Sequence, residues 1–295
     1  MIKAILGIIR APFLILTPAC VSIGVASAYY EMGTVKWMYV LIVLLGAVSA
    51  HVCVNAFNEY FDFKSGLDEK TAKTPFSGGS GTLPAQPRLV KLALAISLFS
   101  LFITAVVGIY FVYLRGILLL PIGIVGLFLL VAYTGWLTKN PFLCLIAPGL
   151  GFGVLMVNGT HFALSGSYSI TSLIASLVPF FLVSNLLLLN QFPDVEADKS
   201  IGRKHFPITL GKKVSSIIFG LFLLFTYATI IAGVATMKLP VFCLLALLSM
   251  VIAGRAFLGA LRNAENTPAL IPSMGMNVTL NLATPALLAI GIFIG

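Results

Sequence analysis

Two short stretches of this 295-residue chain combine amides and carboxylates at a spacing that could hold a metal ion. The first is Asn55-Ala56-Phe57-Asn58-Glu59-Tyr60-Phe61-Asp62, running on to Asp68. The second is Asn190-Gln191-Phe192-Pro193-Asp194-Val195-Glu196-Ala197-Asp198. Each contains Asn-x-x-x-Asp, as Asn58/Asp62 and Asn190/Asp194, and on a helix residues four apart share a face. Of only nine acidic residues, Glu59, Asp62, Asp68, Glu69, Asp194, Glu196 and Asp198 lie in or beside these stretches. Carboxylates this scarce and this clustered point to a divalent cation. Mg²⁺ fits, because it takes oxygen ligands and is commonly completed by substrate phosphates. Acidic residues at the end of an apolar helix also oppose its macrodipole, a cost that favours a ligand-binding use.

The polar sequence after each stretch supplies positive charge. Lys73-Thr74-Pro75-Phe76-Ser77-Gly78-Gly79-Ser80-Gly81-Thr82 can present backbone N–H groups to an anion. It is not a P-loop, and a flexible connector is the equal alternative. Asp198-Lys199-Ser200-Ile201-Gly202-Arg203-Lys204-His205 sets bases directly after carboxylates, which suits a metal-bridged phosphate. Self-neutralising surface ion pairs are the alternative there. Arg10, Tyr133 and Lys139 flank apolar runs on the same side and are within sequence reach of a phosphate, although each taken singly reads as a membrane-interface anchor. His51 and His161 read as buried, hydrogen-bonded residues. Asn55 and Asn185 read as interhelical hydrogen-bonding groups.

Elements that position these groups must cross a membrane. The chain is 59% hydrophobic and 9% charged, against about 25% charged in a soluble domain. Nine spans are predicted, at about 12–30, 37–57, 90–113, 117–137, 142–163, 170–190, 214–236, 239–257 and 272–294. The two acidic stretches open the long polar loops, at about 58–89 and 191–213. The N-terminal run reads as an uncleaved first span rather than a signal peptide. Cys20, Cys53, Cys144 and Cys243 all fall in apolar runs and read as buried thiols.

Fifteen of the 18 basic residues fall on one side of this topology, and only Lys36, Arg115 and Lys238 on the other. That bias puts both acidic stretches in the cytoplasm and accounts for the +9 net charge without nucleic acid. The two motifs, four spans apart, suggest a weak internal repeat.

Asn58-x-x-x-Asp62 and Asp194-x-x-x-Asp198, four spans apart in a nine-span chain, resemble the UbiA superfamily of intramembrane prenyltransferases. Thr74-Pro75-Phe76-Ser77-Gly78-Gly79-Ser80-Gly81 and Asp194-x-Glu196-x-Asp198-x-x-x-Gly202-Arg203-Lys204 resemble the branch of 1,4-dihydroxy-2-naphthoate prenyltransferases that includes MenA. The chain departs from that pattern in two places. Glu59 stands where many members have Asp. Gly66 stands where some have another Asp, with Asp68 two residues later.

The resemblance implies an all-α polytopic membrane protein, a single domain over 1–295, with nine transmembrane helices around a central cavity. It implies Mg²⁺-dependent transfer of a polyprenyl group from polyprenyl diphosphate to an aromatic acceptor, with 1,4-dihydroxy-2-naphthoate and menaquinone biosynthesis leading and another aromatic or lipid acceptor as the alternative. The catalytic set is then Asn58, Asp62, Asp194 and Asp198. The metal ligands are Asn58, Asp62, Asp68, Asn190, Asp194 and Asp198, and the diphosphate contacts Arg10, Lys73, Tyr133, Lys139, Arg203 and Lys204. The prenyl tail would lie among apolar helices, open to membrane lipid, in the cell (inner) membrane. Two other classes stay open at this point. An ion-coupled secondary transporter would place its carboxylates near the bilayer midplane. A lipid-binding or structural protein would leave the paired carboxylates without a use.

Overall fold

The computed structural model describes all 295 residues, Met1–Gly295, and is entirely helical. Nine helices are long and apolar enough to cross a membrane: α1 Ala11–Met32, α2 Trp37–Lys64, α3 Pro87–Arg115, α4 Ile117–Gly135, α5 Pro141–Ser165, α6 Ile170–Asn190, α7 Lys212–Ala235, α8 Val241–Arg262 and α9 Thr267–Phe293. The helical form is forced by the solvent, since lipid cannot satisfy a bare backbone N–H or C=O.

The expected spans are all present, and their ends differ where polar residues prolong a helix. α2 continues seven residues past the apolar run to Lys64, so Asn58 and Asp62 are helical rather than in a loop. α9 begins at Thr267, five residues early. There Asn266 accepts a hydrogen bond from the Ala269 N–H at 3.2 Å and Pro268 occupies the first turn, a capping arrangement.

α6 is the central helix, with 67% of its membrane-length stretch buried, and α4 is peripheral, with 11%. The main core joins α6 to α1, α5, α7, α8 and α9 through residues such as Cys20, Val157, Leu182, Phe219, Cys243 and Leu280. α5 follows α6 closely because Gly149 and Gly153 carry no side chain; a Cβ on Gly149 would lie 2.1 Å from the Phe180 carbonyl oxygen. Small residues allow this approach in membrane helices. Just past Pro148, α5 relaxes into a π-helical segment, Leu150–Leu155, a local widening common at functional sites. On the outside, Phe99, Phe102, Phe128, Leu224, Leu248 and Val251 are exposed. A belt of large apolar side chains suits lipid rather than water.

All four cysteines are buried and free. His51 and His161 are buried and paired with Thr17 at 2.8 Å and Ser27 at 2.9 Å. Asn55 ties α2 to the N-terminal segment through the Ile9 carbonyl at 2.9 Å, and Asn185 ties α6 to the Phe219 carbonyl of α7 at 2.8 Å.

Candidate active site

The last two turns of α2 carry Asn58 and Asp62 on one face. After α2, Gly66 turns the chain with a φ of 73° into a short helix, Leu67–Lys70, and Asp68 is buried there at 6% exposure. The second motif is built differently from the first. α6 ends at Asn190, the chain turns through 191–194, and Asp194 begins a separate short helix, Val195–Ser200. Asn190 and Asp194 therefore meet through a turn and not on a shared helix face. Asp194 and Asp198 are the helical pair, with the Asp198 N–H donating to the Asp194 carbonyl at 2.8 Å. These carboxylates stand at a helix start, so the macrodipole favours them instead of opposing them.

The two motifs line one polar pocket of about 120 Å³. Asn58, Asp62 and Asp68 enter it from the first half of the chain, and Asn190, Asp194, Asp198, Arg203 and His205 from the second. Arg10 and Tyr133 also line it. Arg203 is the link between the halves: its guanidinium donates to Asp62 and, at 2.8 Å, to Asp198 Oδ1. His205 Nε2 lies 3.0 Å from the other oxygen of Asp198. Arg10 adopts a left-handed backbone, φ 50°, between the short helix Ile2–Ile8 and α1. Its side chain donates to Glu59 at 3.2 Å. A non-glycine residue held there is strained and usually sits where position matters. Lys73, Lys139 and Lys204 are exposed and do not line the pocket.

Several oxygens in this pocket lack partners. Asp68 Oδ2, Asn190 Oδ1 and Asp194 Oδ1 are buried without a hydrogen bond. Burial and the charges of Glu59 and Asp62 push the Asp68 carboxyl up to about 7. Burial and the charge of Asp198 do the same for Asp194, also to about 7, against the opposing pull of the Ser77 hydroxyl and the Gly78 N–H. Buried carboxylate oxygens left without a partner are costly unless a cation joins them. The donor set is all oxygen, which suits Mg²⁺. The protein alone does not close a metal cage: no three His, Cys, Asp or Glu side chains converge on one point, and Arg203 holds two of the carboxylates. A Mg²⁺ completed by phosphate oxygens fits such an incomplete set.

A second, apolar cavity of about 490 Å³ adjoins the pocket, lined by α1–α6 and α9. Six residues border both: Arg10, Asn58, Phe76, Tyr133, Leu187 and Asn190. The site thus has an anionic-headgroup end and a hydrocarbon end, joined at a neck.

Residues 16–281 match the UbiA prenyltransferase family. The chain belongs to the UbiA prenyltransferase family. It is 28% identical over 257 residues to the 1,4-dihydroxy-2-naphthoate octaprenyltransferase of Bacillus subtilis, covering 86% of this chain and 81% of that one. It is 26% identical over 246 residues to the 2-carboxy-1,4-naphthoquinone phytyltransferase of Synechocystis sp., covering 81% and 76%. Its fold is that of the apo UbiA homolog from Aeropyrum pernix K1, with a TM-score of 0.73 at 17% identity over 95% of this chain and 98% of that one. The UbiA homolog from Archaeoglobus fulgidus bound to GPP and Mg²⁺ has the same fold, with a TM-score of 0.62 at 14% identity over 97% and 99%.

Family membership sets aside the transporter and the purely structural alternatives. The loop over 73–82, expected to present backbone N–H groups to an anion, comes to the pocket edge. Phe76 borders both cavities, and Ser77 and Gly78 approach Asp194. Glu59 is fully buried, pairs with Arg10 and accepts from the Ser80 hydroxyl, so it points away from the pocket that the other acidic residues share.

Proposed function

We propose that this chain transfers a polyprenyl group from polyprenyl diphosphate to a hydroxylated aromatic acceptor of the 1,4-dihydroxy-2-naphthoate type, as menaquinone biosynthesis requires. The reaction would take place in one domain, residues 1–295, at the cytoplasmic face of the cell membrane. The observation that carries this reading is the neck, where a carboxylate-lined pocket opens onto an apolar cavity. That division matches a diphosphate joined to an isoprenoid tail. The acceptor class is supported by the two relatives, a dihydroxynaphthoate and a carboxynaphthoquinone transferase, whose names share a naphthalene-derived ring.

Asn58, Asp62, Asp68, Asn190, Asp194 and Asp198 are the oxygen donors for Mg²⁺. Mg²⁺, when bound, supplies Lewis-acid charge that stabilises the departing diphosphate. Arg10, Tyr133 and Arg203 face the same head group from the protein side and add fixed positive and hydrogen-bonding character where negative charge develops. Lys73, Lys139 and Lys204 stand further out and raise the local potential for an anionic substrate. The apolar walls exclude water from the allylic carbon, which becomes electron-poor as its C–O bond lengthens. Phe76 and Tyr133 border the neck with aromatic rings, the side chains best suited to a nearby cation.

The test is prenyl transfer by purified protein in detergent or liposomes, with a prenyl diphosphate and a panel of aromatic acceptors headed by 1,4-dihydroxy-2-naphthoate. Transfer is expected with Mg²⁺ and not after chelation. Asp62→Ala and Asp194→Ala should each lower turnover by orders of magnitude, and the double variant should cost less than the two losses summed, because both act on one bound complex. No product with any acceptor, or full turnover in either single variant, would overturn the reading.

A further inference from the structure

The apolar cavity contains a polar group that the head-group chemistry leaves unused. His51 lies on α2, seven residues before Asn58 and four before Asn55. These three share a helix face and all line the cavity. The His51 ring is fixed on two sides. Its Nδ1 pairs with Thr17 Oγ1 of α1 at 2.8 Å, and its face meets Phe152 of α5 edge-on, centroids 4.6 Å apart at 77°.

Its other nitrogen is free. Nε2 has no protein partner and is not sealed off, whereas Nε2 of His161 is sealed in the core, 3.5 Å from Glu31 Oε2. His51 therefore keeps a polar atom open to the cavity, while His161 is a packed core histidine that lines neither cavity. A buried polar atom left open in an apolar space is costly unless a ligand completes it. The Nδ1–Thr17 hydrogen bond fixes the ring, and whichever partner carries the shared proton, Nε2 is left with a hydrogen-bonding group facing the cavity, a lone pair in one tautomer and an N–H in the other.

The spacing suits an aromatic ring. Seven residues of helix rise about 10 Å, and Asn58 borders the polar pocket where a diphosphate would sit. The reactive prenyl carbon and one ring system fill about that length. We propose that His51 orients the acceptor: Nε2 hydrogen-bonds an acceptor hydroxyl and holds the ring between itself and the prenyl carbon. This inference rests on the aromatic-acceptor reading above.

The test is steady-state transfer with each substrate varied in turn, together with equilibrium binding of a non-reacting prenyl thiodiphosphate. In His51→Phe the acceptor KM should rise by about tenfold or more, the scale of a lost hydrogen bond in a dry site, with prenyl thiodiphosphate affinity unchanged. His51→Gln, which keeps a polar hydrogen-bonding group, should recover part of the loss, and Thr17→Val, which frees the ring, should fall between. If His51→Phe does not fold, the Gln and Val variants carry the same split. Unchanged acceptor kinetics in the variants, or equal weakening of both substrates, overturns the proposal. A wild-type protein that binds the thiodiphosphate yet prenylates no hydroxylated aromatic overturns the acceptor reading instead.

Discussion

Asp68 and Asp194 hold protons that the unfolded chain would release. Each titrates at about 7 in the folded protein, against about 4 for an unperturbed Asp. Between those values the folded state binds more protons than the unfolded, so these two groups make stability fall as pH rises. Their contribution is intact below about pH 4 and gone above about pH 7. Mg²⁺ reverses the sign at high pH, because it binds the charged carboxylates and only the folded protein assembles them. Chelated protein should therefore melt at a lower temperature at pH 8 than at pH 5.5, and Mg²⁺ should raise Tm more at pH 8. Thermal unfolding in detergent checks both, and the Asp68→Asn/Asp194→Asn double variant should flatten both responses. A Mg²⁺ effect equal at the two pH values would count against these carboxylates as ligands. Asp68 also marks how far residue spacing can be read. It is out of register with the family pattern in sequence, yet the turn at Gly66 delivers it to the pocket, and a turn has no fixed period to count along.

At the scale of elements, the segment after Leu67–Lys70 is a folded cap. Thr74 Oγ1 accepts from the Ser77 N–H at 2.9 Å and from the Phe76 N–H at 3.2 Å, and the Thr74 N–H donates to the Ser77 carbonyl at 3.1 Å. Ser80 joins the cap to Glu59. Glycine is required at Gly79, where φ is +70° and a Cβ would lie 2.7 Å from Asp68 Oδ1. Gly79→Ala should strain the loop by about 1–3 kcal/mol and displace Asp68. The expected result is a raised KM for prenyl diphosphate, an unchanged acceptor KM and faster proteolysis between 71 and 81. Gly66→Ala is the control, since its φ is +73° but nothing lies within 4 Å of the added methyl; it carries the strain without the carboxylate contact. Of the elements, the apolar helices were legible because their length is set by the bilayer. Their polar ends were not, because hydropathy stops reporting where α2 still makes hydrogen bonds. The cap was half-legible: its glycines were visible, but its contact with Asp194 depends on a partner more than a hundred residues away.

The whole molecule brings together two stretches of sequence four spans apart, and the cavity between them belongs to no one segment. Its walls come from seven helices, which is why periodicity along the chain reports the helices and not the cavity they enclose. Its direction is a different matter, since charge is written in the loops. Both polar loops that build the pocket lie on the side with fifteen basic residues. The opposite end holds Lys36, Arg115 and Lys238. Of these, Lys36 and Arg115 are both drawn onto the Tyr39 ring, 5.4 Å from its centroid, and Arg115 also donates to the Ala163 carbonyl at 2.8 Å. Positive charge near span ends is retained in the cytoplasm during insertion, so the head-group pocket should open there and the neck should point into the membrane. In a variant with its native cysteines replaced, single cysteines at Ser65 and Ser200, chosen at exposed positions beside the two motifs, should react with a membrane-impermeant maleimide only in inside-out vesicles. A cysteine at Met237, 90% exposed at the other end of α7, should react only in right-side-out vesicles or whole cells. Labelling of Ser65 and Ser200 from opposite sides would separate the two motifs by a bilayer and sink the shared pocket. Labelling of both from outside would keep the pocket and reverse the protein, leaving its substrates to be delivered from the other compartment.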